Sequence, residues 1–258
     1  MTITKQQNAR ASESGNVLFL ILIAVALFAA LSYAVTQSSR SGGGDASSEK
    51  SLVSSSQVTQ YPSSVRTSIV RMIIGGTSVD QLLFDTPSSF AALSTTDMQK
   101  AGVFYPSGGG ATYSTVPAEV MKTASSGPGN WVFSSKYQVK NIGLTDATKG
   151  DYNEIIAFLP GVSKALCTKL DTQLGITLDA GGYPPSIDTD MAGMPVAADN
   201  MDSGISPATG TPGIPATATG GVIGTANTQF IGQPFGCGRI GAASTAGTYV
   251  YYHVLVER

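Results

Sequence analysis

His253 is the single histidine of this chain, and Cys167 and Cys237 are its only cysteines. Any imidazole or thiol chemistry must therefore use these three side chains. Two Cys and one His do not fill a four-coordinate zinc site without carboxylate help. The two thiols are read either as one disulfide or as two separate buried groups behaving as small hydrophobes. His253 falls in a strand-like stretch, which favours a packed or edge-exposed ring over a base in a cleft. Serines are abundant, yet no G-x-S-x-G elbow is present, and a hydrolase reading has no nucleophile and base to name. Carboxylate pairs are not legible from sequence, because any two can converge in space.

Two further patterns were weighed. Gly236-Cys237-Gly238-Arg239-Ile240-Gly241 fits G-x-G-x-x-G letter for letter. Dinucleotide binding needs a strand before that motif, a helix after it and an acid about twenty residues on. Here a Tyr-rich strand follows, so these glycines are expected to form a tight turn into the last strand. Asp188, Asp190 and Gly193, with Asp199 at the twelfth position, partly match an oxygen-ligand calcium loop, although Ala192 stands at position five and Pro195 distorts the spacing. The alternative is that these acids are solvated loop residues.

Fifteen basic against seventeen acidic residues give a net charge of -2, which leaves no basic field to attract nucleic acid. About 42% apolar residues allow a real core, while only 12% charged residues lean toward a secreted or surface protein.

The elements that must hold these groups begin with Val17 to Val35, apolar at every position except Ser32 and Tyr33. As a helix it spans roughly 28 Å, close to a hydrocarbon core about 30 Å thick. Lys5 and Arg10 precede it, and this weak positive excess puts the N-terminus in the cytoplasm. A cleaved signal peptide, with Ser32-Tyr33-Ala34 as its small-x-small triplet, is the main competing reading.

A short polar leader ending in Gly15 and running straight into ESGNVLFLILIAVALFAALSYAV resembles the N-terminus of type IV pilins and pseudopilins. The resemblance implies peptidase cleavage after Gly15, leaving Asn16 as the first mature residue, an anchored chain in the bacterial inner membrane, and an exposed helix that packs at the centre of a filament. It also implies self-association or association with other pilin-like subunits, and a disulfide tying a C-terminal loop to the sheet, here Cys167 to Cys237. Calcium in a C-terminal loop, known for major pseudopilins, falls on Asp188, Asp190 and Asp199. Asn16 and Leu20 depart from the aromatic or Met, and the Glu, that the family usually carries at those places.

The resulting expectation is an α+β protein with a leader over 1–15, a transmembrane helix over 16–37, a collar and amphipathic stem helix over 38–76, and an extracytoplasmic head over 77–258. Gly42-Gly43-Gly44 should break the helix. The stem should begin near Pro62, direct Val65, Ile69, Met72 and Ile73 along one face, and stop at Gly75-Gly76. The head should carry an antiparallel sheet with strands near 130–142 and 248–256, the latter buried on both faces. A helix starting at Pro160 should bury Val162, Leu166, Cys167, Leu170 and Leu174, send Asp171 elsewhere, and end at Gly175. A Gly-, Pro- and Thr-rich loop over about 181–223 follows. The functional expectation is a structural subunit of a pilus or pseudopilus-like envelope assembly, not an enzyme. The alternative is a membrane-tethered binding protein or adhesin using the uncharged Ser203 to Gly238 stretch.

Overall fold

The computed structural model describes residues 14–122, 129–187, 190–191, 220–240 and 248–258, with backbone alone for 14–16 and 38–54. The chain divides into two compact units, Met1–Lys50 and Ser51–Arg258.

In the first unit every side chain from Val17 to Gln37 is exposed, and this stretch is long and apolar enough to cross a membrane. Left in water, so many uncovered Leu, Ile, Val and Phe side chains have no apolar phase to enter.

The helix that begins there, α1 (Ser14–Ile74), is continuous where a collar and a fresh start were expected. It runs through Gly42-Gly43-Gly44 and carries Pro62 in its interior. Glycine costs roughly 1 kcal/mol per residue against alanine in a helix, a penalty that the rest of a long helix can absorb. Pro62 removes the N–H that would bond the Val58 carbonyl. Around it Thr59, Ser63 and Thr67 each donate a hydroxyl to the carbonyl four residues back, at 3.0 to 3.1 Å, so the polar face satisfies itself. The opposite face buries Ser55, Val58, Pro62, Val65, Ile69 and Met72. Their alternating spacing of three and four is one continuous stripe, which the sequence reading had caught only from Val65 onward.

That stripe packs on one face of a five-stranded sheet. Its strands are β1 (Val132–Val139), β2 (Glu154–Val162), β3 (Gly221–Ile223), β4 (Phe235–Ile240) and β5 (Thr248–Val256), in spatial order β3-β1-β2-β5-β4. Four strands pair antiparallel, but β3 joins β1 in parallel. The sheet is therefore mixed, not antiparallel throughout as expected. Alternation sorts side chains between two cores. Ile155, Ala157, Leu159, Tyr249, Tyr251 and Leu255 meet Val65 and Ile69 on the α1 side. Ile156, Phe158, Val250, Tyr252 and Val254 meet Ile187, Ile223 and Phe230 on the other. As expected, β5 is buried on both faces and paired along both edges.

Pro160 does not start a helix. It lies inside β2 beside a register shift between Pro160 and Val162, one of the few places where a sheet tolerates a residue without an N–H. After the short helix α2 (Thr96–Ala101), the next helix, α3 (Lys164–Gln173), starts only beyond β2, N-capped by the Ser163 side chain, which accepts from the Leu166 N–H. It ends as expected at Gly175, whose φ of 73° suits the left-handed closing turn in which the Ile176 N–H reaches the Asp171 carbonyl.

Gly236 and Gly238 are strand residues, not the turn expected of them. A Cβ on Gly238 would lie 2.6 Å from the Ile187 side chain, so the bare backbone makes room for a core residue of the opposing segment. The 181–223 stretch is accordingly not all surface loop, since Ile187 and Met191 are buried.

Candidate functional site

Cys167 on α3 and Cys237 on β4 form a disulfide, with Cα atoms 5.3 Å apart and both residues fully buried. It closes a 70-residue separation that includes the Gly-, Pro- and Thr-rich stretch. One helical turn after Cys167, Asp171 points the same way and is fully buried, against the expectation that it faces elsewhere. The signal was present: positions 167, 170, 171 and 174 share one helical face. Its Oδ1 accepts the Cys237 N–H at 3.1 Å, while Oδ2 has no hydrogen-bond partner. Burial pushes this carboxyl up to about 8, with the Cys237 N–H opposing that shift.

The folded protein thus holds a proton on Asp171 that the unfolded chain releases from about pH 4 upward. This stabilisation is complete below about pH 4 and is lost as pH rises to about 8. Asp171→Asn keeps an oxygen for the Cys237 N–H but cannot ionise. We expect urea unfolding of the wild type to show stability falling by on the order of 2 kcal/mol per buried acid between pH 6.5 and 8, with the Asp171 share absent in the variant. Equal slopes in the two proteins would refute the assignment.

A second buried acid belongs to the β1–β2 connection. Glu154, fully buried, accepts the Val139 N–H on Oε2 at 3.0 Å, and burial pushes it up to about 8. Beside it Gln138 donates to the Asp146 and Lys149 carbonyls and accepts the Asp146 N–H, while Asn153 donates to the Ser135 carbonyl. The side chains replace the ladder partners that this turn cannot supply, so the network reads as a structural clamp.

His253 is packed on β5, 6% exposed. Its Nδ1 lies 2.8 Å from the Tyr251 hydroxyl, and its ring stacks on Phe235 at 5.2 Å. Burial first, and the positive Arg66 second, hold its pKa at about 4. Neutral imidazole between two aromatic residues is a packing arrangement, and Tyr251 itself is shifted upward by burial.

Of the calcium-loop residues, Asp188 and Asp199 lie outside the described residues. Asp190 is buried, and its carboxylate accepts backbone N–H groups from Gly224 at 2.9 Å, Ala226 at 2.5 Å and Asn227 at 3.5 Å. Those donors pin the segment to the stretch after β3 and occupy both oxygens. Among the described residues no cluster of three or more His, Cys, Asp or Glu side chains is placed to hold a metal. Gly15 and Asn16 sit in the first turn of α1.

No protein-family model, curated protein or solved structure matches this chain.

Proposed function

We propose that the chain is a pilin-like or pseudopilin-like structural subunit, anchored by its N-terminal helix with its 51–258 unit on the non-cytoplasmic side of a bacterial inner membrane. One observation carries the reading. A single helix joins a wholly exposed apolar stretch, Val17–Gln37, to a stripe, Val58 through Met72, that is core of an α+β head. Such a helix serves two environments at once: lipid, or neighbouring copies of itself, around its first part and the sheet around its last. The disulfide supports an oxidising compartment, and α1 runs unbroken through Gly42-Gly43-Gly44, in keeping with the long continuous stem helix that pilins favour. Self-association of the exposed apolar segments is the assembly mode this reading implies.

N-terminal sequencing of the protein purified from membranes tests it directly. A start at Asn16 is the expected result. A start at Met1 would replace the subunit by a plain membrane anchor, and a start near Val35 would make the protein a secreted one.

A further inference from the structure

A groove of about 430 Å³ runs along the 51–258 unit between α1 and the 114–117 segment, with Trp131 beside it at the approach to β1. None of the described residues lining it is charged. Gln57, Gln60 and Ser64 stand exposed along one side and Ser114 and Thr115 along the other. Tyr61 and Trp131 pair with ring centroids 5.2 Å apart. The Tyr61 hydroxyl oxygen accepts the Ser114 N–H at 3.3 Å and keeps a proton to give. Trp131 is only 5% exposed, and its Nε1 has no hydrogen-bond partner.

We infer that this groove binds a neutral sugar unit. The lining disfavours charged and purely apolar ligands. An anion or a cation would lose its hydration with no opposite charge to receive it. A purely apolar ligand would strip water from the amides and hydroxyls of Gln57, Gln60, Ser64 and Thr115 and return nothing. A pyranose has both kinds of surface: C–H faces that pack on aromatic rings, and a rim of hydroxyls that give and accept hydrogen bonds in any direction. The volume lies in the range of small-molecule sites. The exposed glutamines leave room for further sugar units to extend outward. The site stands whether or not the chain assembles into a filament.

The test uses the detergent-solubilised full chain. Trp131 is its only tryptophan, so emission excited where tyrosine does not absorb comes from the ring beside this groove. Titration with glucose, galactose, mannose and N-acetylglucosamine should give a saturable change for at least one of them in the millimolar range typical of single sugars, with glucuronate and inorganic sulfate giving none. Gln57→Ala with Gln60→Ala, at exposed positions that leave folding intact, should weaken the responding sugar at least tenfold. Tyr61→Phe, which keeps the ring, should weaken it less. Absence of response to all four neutral sugars, a response to glucuronate or sulfate alone, or an affinity unchanged in the double glutamine variant would each overturn the inference.

Discussion

Replacing Cys167 and Cys237 together by alanine should lower the melting temperature by roughly 8–16 °C. A crosslink across 70 residues removes closure entropy from the unfolded chain, worth about 4 kcal/mol in the chain-entropy account. For a domain of this size each kcal/mol moves the transition by about 2–4 °C. The effect should be at the upper end here, because the bond fastens α3 to β4 across a separation of 70 residues. Calorimetry of the double variant beside the oxidised wild type checks the expectation. A shift below about 3 °C would mean that the packed core around Leu166, Leu170 and Tyr251 holds the two elements together without the bond.

Phe158→Ala should cost about 3–5 kcal/mol. Phe158 is fully buried at the middle of β2, opposite Val132 on one side and Tyr252 on the other. Its ring meets Tyr137 edge-on at 5.3 Å, a pairing worth about 0.5–1.5 kcal/mol beyond area. Truncation would open a void in the face that also holds Ile187, Ile223 and Phe230, with two strands fixing its walls. Urea unfolding should show the loss in the midpoint with little change in slope. Phe158→Leu should recover more than half of it, and a loss under about 1 kcal/mol for the alanine variant would mean that this face is loosely packed.

Which parts of this fold could be read in advance follows from how each residue is buried. The stem stripe at Val65, Ile69 and Met72, the strand at 132–139 with Phe133, Tyr137 and Val139 at even spacing, and the stops at Gly75-Gly76 and Gly175 announce themselves, since regular apolar spacing or one special φ leaves a periodic or punctuating mark. Strand β2 leaves none. EIIAFLPGV is buried at all nine positions, so it shows no alternation, and Pro160 imitates a helix start. The three-residue β3 is too short to mark itself, and its parallel pairing with β1 spans some eighty residues of chain. The candidate sites divide the same way. The pairing of Cys167 with Cys237 was legible because there were only two cysteines to pair. The groove was not, because Tyr61 and Trp131 are seventy positions apart, and Tyr61 lies next to a buried stripe that draws the eye to its other members.

The place of β5 between β2 and β4 bears on how the polypeptide is made. Of the five strands, the one that fills the gap is the last to leave the ribosome, so a nascent chain that has not reached Thr248 carries β2 and β4 with bare edges. Such edges invite pairing with other chains, and contacts this distant along the sequence form slowly. Synthesis order thus leaves the sheet of the 51–258 unit incomplete until its final strand arrives. For the translocation proposed above, that delay is what an extended polypeptide needs.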